Sequence, residues 1–137
     1  MPVTGLHHVL LTVSDVDRSA RFYEDVIGLK RIREVLDDGI AGHKVLFALP
    51  DGSMLGVVRH AQLESEWFDE KCIGMDHVAL SVPADELPAW QQRLDQAGVP
   101  YSAPAPSAVG ETLIVLRDPD NIQLQIYGGR TQQTSLP

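Results

Sequence analysis

Of the histidines at positions 7, 8, 43, 60 and 77, two head copies of one hexapeptide: His8 opens HVLLTV and His77 opens HVALSV. The offset between them, 77 − 8 = 69, also carries LPDGSMLG at 49–56 onto DPDNIQLQ at 118–125. Pro50 then falls on Pro119, Asp51 on Asp120, Leu55 on Leu124, and Gly56 on Gln125. A neutral imidazole offers one donor and one acceptor and can carry a proton near neutral pH, whereas a glutamine amide only hydrogen-bonds or presents a neutral oxygen. Strand side chains alternate, so His8, Leu10 and Thr12 share a face, as do His77, Ala79 and Ser81. Gln123, Gln125 and Tyr127 share one too, and Gly56, Val58 and His60 follow the same parity. The opposite faces, Val9–Leu11–Val13, Val78–Leu80–Val82 and Ile122–Leu124–Ile126, are the more apolar, and we expect them to pack against helices. The two histidines and the glutamine are thereby sent to the faces turned away from the helices.

Each of these residues also has a plainer use. A lone inward histidine is an ordinary hydrogen-bonded wall residue; two at matching repeat positions are a stronger signal, although duplication preserves inherited sites as well as useful ones. Gln125 by itself is a polar cavity residue. His60 lies four residues beyond Gly56, about 13 Å along a strand, as a strand-end or rim group. His7 and His43 have no partner visible in sequence and read as structural or solvated. Glu34 and Glu111 stand on strands whose facing is open, as surface charges or acid–base groups.

Helices must bring these strands back together. Val16, Ala20, Tyr23, Val26 and Ile27 recur at helical spacing, with Asp15 or Asp17 as cap and Gly28 as stop. Leu87, Trp90, Leu94 and Ala97 form the second stripe, with Pro88 in its first turn and Gly98 at its end. Short β-rich runs follow each helix: KRIREVL, HKVLFAL and SMLGVVRH, then YSAPAP, ETLIVL and IQLQIYG. The turns are DG at 51–52 and DPDN at 118–121, and prolines in 103–106 make the second strand of the later half an edge. The sequence therefore predicts an α+β fold of two tandem β-α-β-β-β halves at 5–60 and 76–128. An acidic connector at 61–75 joins them, read as a short helix with Trp67 and Phe68 packed down, and a frayed tail follows at 129–137.

Composition narrows the partners. The chain has 137 residues, the length of one ordinary domain, with 44% apolar and 22% charged residues. No apolar run approaches the ~20 residues of a membrane span. The first residues lack a basic leader and cleavage site, so a cytoplasmic location is the expectation. The formal charge of −8 and the scattered lysines and arginines argue against nucleic acid. Cys72 is the sole cysteine, with no disulfide or zinc signature, and is read as structural.

The tandem repeat, with HVxLxV opening each half, RSARFYEDVIGL on the first helix and DPDNIQLQIY on the last strand, resembles the vicinal oxygen chelate superfamily over residues 5–128. That superfamily includes glyoxalases, extradiol dioxygenases, fosfomycin-resistance enzymes, methylmalonyl-CoA epimerase and bleomycin-binding resistance proteins. The resemblance implies an open, cup-shaped curved sheet with the helices outside and a divalent metal on the floor of the cup. It puts the metal corners at His8, Gly56, His77 and Gln125. Members with three protein ligands have glutamate where Gln125 stands. An amide keeps the coordinating oxygen but removes the charge that offsets the ion, and Gly56 supplies no donor.

On this resemblance the leading expectation is a metal-dependent protein of glyoxalase or dioxygenase type. His8, His77 and Gln125 would hold Fe, Mn, Zn or Ni, and the ion would polarise a small oxygenated substrate for isomerase, lyase or dioxygenase chemistry. Gly56, Val58, His60, Gln123 and Tyr127 would line the substrate. The rival is a metal-free protein that sequesters a ligand, as bleomycin-resistance members do; a third reading is a metal-free acid–base isomerase working through His8 or His77. A homodimer is expected, since single modules of the superfamily usually pair.

Overall fold

The first repeat runs β1 (His8–Thr12), helix α1 (Val16–Arg21) with a π-helical turn (Phe22–Val26), β2 (Lys30–Val35), β3 (Lys44–Ala48) and β4 (Met54–Val58). The second runs β5 (Val78–Val82), a 3-10 turn (Ala84–Glu86), α2 (Leu87–Ala97), β6 (Ala105–Pro106), β7 (Thr112–Arg117) and β8 (Gln123–Gly128). The computed structural model describes residues 1–36 and 42–129 and divides into two units, Met1–Phe68 and Asp69–Pro137. Part of the stretch between β2 and β3, and the tail beyond Gly129, lie outside the described residues.

Each unit carries one four-stranded mixed sheet, in the order β1-β4-β3-β2 or β5-β8-β7-β6. The first and last strands of each repeat are parallel neighbours, and the remaining pairs are antiparallel. The registers obey the repeat: Leu10 faces Gly56 in one sheet, and Ala79 faces Gln125 in the other. This is the α+β, β-α-β-β-β architecture expected in each half.

Helix α1 starts where Asp15 caps it, its carboxylate accepting from the Arg18 N–H at 3.0 Å. That bond holds the Asp15 carboxyl below its ordinary pKa. The wide turn after Arg21 brings Tyr23, fully buried, to Phe47 on β3, with ring centroids 6.1 Å apart. The helix-facing side of this sheet is therefore Leu11, Val45, Phe47, Leu55 and Val57, all buried. In the second unit Pro88 lies in the first turn of α2, and Gly98 ends it in the left-handed region at φ 69°. Leu87 and Leu94 are buried there, while Trp90 is half-buried and Ala97, expected in the stripe, is exposed. Leu87 packs so closely on Gly128 that a Cβ there would lie 2.6 Å from its Cδ1. Leu116, Leu124, Ile114 and Ile126 complete this core.

Two expectations need adjustment. Residues 61–75 form turns and bends and no helix, with Trp67 exposed at 63% and only Phe68 half-buried. Acidic residues flank Trp67 and Phe68 on both sides in ESEWFDE, and an adjacent pair of aromatics does not by itself give a helix an apolar face. The proline-rich strand survives as the two-residue edge strand β6, in keeping with a residue type that cannot donate to a ladder.

Candidate functional site

Strand register sorts the side chains on the face turned away from the helices into rows. In the first unit Met54 and Ala48 join His8 and Lys30 in one row. The next holds Leu10, Gly56, Leu46 and Arg33, and the third Thr12, Val58, Lys44 and Val35. In the second unit Gln125 stands between Ala79 and Val115, and Tyr127 between Ser81 and Leu113. Gln123 pairs with Arg117, and His77 immediately precedes β5 on the parity of Ala79.

His8, Gly56, Val58, His77, Gln123, Gln125 and Tyr127 thus all fall on the face expected of them. Gln123, Gln125 and Tyr127 are half-buried between the buried Leu124, Ile126 and Gly128. His77, one residue ahead of β5, is a diagonal neighbour of Gln125 in the parallel β5–β8 pair, since Ala79 is the partner of Gln125. His60 lies beyond the end of β4 and is exposed, a rim position.

The Gly56 corner is closed by apolar groups. A Cβ at that position would lie 2.6 Å from Leu10 Cδ2, 2.6 Å from Leu46 Cδ2 and 3.0 Å from the Val45 carbonyl oxygen. No donor reaches that corner from β4.

The imidazoles are tethered through Nδ1. His77 Nδ1 lies 2.8 Å from Asp76 Oδ1, and His8 Nδ1 lies 2.8 Å from His7 Nδ1. Among the described residues, neither histidine has a hydrogen bond at Nε2. Imidazole nitrogens and an amide oxygen are donors that suit a borderline divalent ion; His8 stands in the first unit, and His77 and Gln125 in the second. None of the three side chains is a carboxylate.

The conspicuous acidic residues lie elsewhere. Glu34 pairs across the sheet with Val45, on the helix side, because an irregularity between Arg31 and Arg33 shifts the register. There it meets His43 at 2.7 Å and Arg31 at 3.3 Å, while Arg31 Nε also donates to the Glu24 carboxylate at 3.1 Å. Asp17, Glu34 and His43 bring one ligand atom each within 4.8 Å of one another. The Arg31 guanidinium already stands among these groups and is itself held above its ordinary pKa, chiefly by Glu24. Glu34 is held below its ordinary value by the His43 hydrogen bond first and by Arg31. This is a network of ion pairs and hydrogen bonds tying β2 to the π-helical turn and to the residue ahead of β3. Glu111 lies just ahead of β7.

The DPDN motif has a structural explanation. The buried Asp118 carboxylate accepts from the N–H groups of Asp120 and Ile122 at 2.8 and 2.9 Å, and Asn121 takes φ 70°. In the earlier copy, Asp51 accepts from the Ser53 N–H at 2.9 Å. These turns fix where β4 and β8 begin, and so which residue reaches the Gly56 or Gln125 position.

Residues 5–126 match the model of the Glyoxalase/Bleomycin resistance protein/Dioxygenase superfamily. The chain is 26% identical over 140 residues to MhqE of Bacillus subtilis, a protein named as a candidate ring-cleaving dioxygenase. That alignment takes in 92% of this chain but 42% of that protein, so this chain spans under half the length of that relative. Among solved structures, a glyoxylase/bleomycin resistance protein/dioxygenase domain from Frankia sp. EAN1pec superposes with a TM-score of 0.82 at 28% identity, covering 96% of both chains. The fosfomycin resistance protein FosX from Listeria monocytogenes, crystallised with Mn(II) and sulfate, shares the fold with a TM-score of 0.71 at 17% identity, over 96% of this chain and 94% of that one.

Proposed function

Because the chain belongs to the Glyoxalase/Bleomycin resistance protein/Dioxygenase superfamily, we propose that it binds a divalent metal through His8, His77 and Gln125 and acts on a small, oxygenated, anionic substrate. The observation that carries this reading is the repeat-equivalent placement of His8 and His77, each on the helix-free face of its own sheet, with Gln125 one row from His77. The Mn(II) in FosX supports a divalent ion from iron, manganese, zinc or nickel. Such an ion, when bound, supplies Lewis-acid polarisation of a substrate oxygen.

The protein's own residues set the terms. His8 and His77 offer Nε2, and Gln125 offers its amide oxygen in place of a carboxylate. With no carboxylate among these three ligands, more of the ion's charge is left for the substrate, which favours an enolate, catecholate or phosphonate. Lys30, Arg33 and Lys44 lie on the helix-free face of the first sheet and favour an anion further. Leu10, Leu46, Met54 and Val58 give the ligand's carbon frame an apolar surface, while Gln123 and Tyr127 provide hydrogen-bonding groups. His60 contributes at the rim.

The absence of a carboxylate at both the Gly56 and the Gln125 positions favours one rival, a metal-free protein that holds an organic ligand. Titration calorimetry with Mn(II) on wild type and Gln125→Glu separates the two. On the metal reading wild type binds one ion per chain, His8→Ala and His77→Ala abolish binding, and Gln125→Glu tightens it about ten- to a hundred-fold. If neither wild type nor Gln125→Glu binds metal, the rival holds. We also place the protein as a homodimer in which a partner covers the exposed edges of its sheets; light scattering at micromolar concentration tests this, and a monomer contradicts it.

A further inference from the structure

We propose that His7 and Asp76 are a matched pair of positioning residues that fix the ring tautomers of His8 and His77, so that each of those histidines presents Nε2 as a lone pair. The proposal rests on the metal reading for its purpose but not for its geometry. His7 and Asp76 occupy the same repeat position, 76 − 7 = 69, and each engages Nδ1 of the histidine that follows it at 2.8 Å.

An ionised carboxylate only accepts hydrogen bonds. A 2.8 Å contact between Asp76 Oδ1 and His77 Nδ1 therefore requires the proton to sit on Nδ1. In the neutral ring Nε2 then has none. In the first repeat the acceptor is another imidazole. The Nδ1–Nδ1 contact holds one proton between two ring nitrogens, and the rings meet edge to face at 76° with centroids 5.1 Å apart. Equivalence with Asp76 gives the proton to His8 and makes His7 the acceptor. Both histidines then have the same form: Nδ1–H anchored to the preceding side chain and Nε2 free to coordinate. A ring that carried its proton on Nε2 would have to change tautomer before it could bind an ion. Residues that hold the second nitrogen of a liganding histidine commonly govern metal affinity by about 10–100-fold.

The two anchors have different chemistry. Asp76 is charged and cannot donate. His7 can act as donor or acceptor, so replacing it with aspartate copies the arrangement of the second repeat.

The test is long-range ¹⁵N–¹H NMR on the metal-free full chain, at a pH where the rings are neutral, followed by Mn(II) calorimetry. Wild type should show His8 and His77 as Nδ1–H rings. Asp76→Ala and His7→Ala should each move their own partner toward the Nε2–H form and weaken Mn(II) binding about 10–100-fold. Asp76→Asn, which keeps an acceptor oxygen, and His7→Asp should restore the Nδ1–H form. Nε2–H rings in wild type, or tautomers unchanged in the alanine variants, overturn the proposal. Wild type that binds no Mn(II) while showing Nδ1–H rings that depend on His7 and Asp76 overturns the metal reading and supports the positioning role.

Discussion

Replacing Gly56 with alanine adds one methyl group at a crowded point on the helix-free face of the first sheet, and two effects oppose each other there. In an open strand position the change stabilises, because glycine gives up more backbone freedom on folding, by roughly 0.5–1 kcal/mol. At Gly56 the new carbon would sit 2.6 Å from a methyl of Leu10 and 2.6 Å from a methyl of Leu46. Carbon atoms rest at about 3.5–4.0 Å, so each leucine must retreat by roughly 1 Å. The Val45 carbonyl oxygen, at 3.0 Å, belongs to the backbone and cannot swing aside. Overpacking of this kind costs about 1–3 kcal/mol, which outweighs the backbone gain. We expect a net loss of about 1–2 kcal/mol, seen in urea unfolding as a lower midpoint with an unchanged slope. Leu10 is 39% exposed, so shortening it gives up little burial. The double variant Gly56→Ala/Leu10→Ala should therefore recover part of the loss as a coupling energy. A stabilised or unchanged Gly56→Ala would refute the close approach, and with it the closed apolar corner.

Asp118→Ala strands two N–H groups at the turn before β8 and should cost about 2–4 kcal/mol by thermal unfolding, while Asp118→Asn, which keeps an acceptor oxygen, should cost less. Glu70 is bound by Arg117 at 2.7 and 3.1 Å, which pulls its carboxyl down to about 2. A depressed acid contributes stability that is complete above its unfolded value of 4.5 and is lost as pH falls through about 2. The stability difference between wild type and Glu70→Gln should accordingly be constant above pH 5, shrink below it and vanish near pH 2; a difference independent of pH would contradict the pairing. Glu34→Gln should leave Mn(II) affinity unchanged in calorimetry, because Glu34 faces the helix side of its sheet.

The repeat made much of this legible. One offset of 69 residues, read from two hexapeptides, sets Gly56 and Gln125 at equivalent positions, and the registers agree: Gly56 stands beside Leu10 and Gln125 beside Ala79, with 79 − 10 = 69. Period-two alternation gave the facing of β1, β4, β5 and β8. The facing of β2 stays open in the sequence, and alternation alone would not supply it. There the extra residue between Arg31 and Arg33 puts Arg31 and Glu34, three apart, on the same face, where simple alternation sets them opposite. A bulge is set by pairing with β3 and leaves no mark in the composition of KRIREV. The connector misled for a different reason: WF in an acidic stretch suggests a buried anchor, but burial needs a surface to meet, and Trp67 has little. The roles of His7 and Asp76 were missed because a side chain bonded to its immediate neighbour obeys neither strand nor helix period. The signal available was the offset itself, which aligns residue 7 with residue 76 just as it aligns residue 8 with residue 77.

The parallel pairing of first and last strands has a consequence for the order of folding. The ladder partner of His8 is Met54, 54 − 8 = 46 residues further on, so β1 finds no place in a sheet until the rest of its repeat has formed. The strands β2, β3 and β4 are joined antiparallel and can assemble by local hairpin closure, whereas the β1–β4 contact closes the longest strand-to-strand loop in the unit, and we expect it to form last. The second repeat follows the same sequence of events, with β5 waiting for β8. His8 and His77 therefore ride on, or directly ahead of, the strand that each repeat installs last, and a nascent chain cannot present either histidine in its sheet until that repeat is complete.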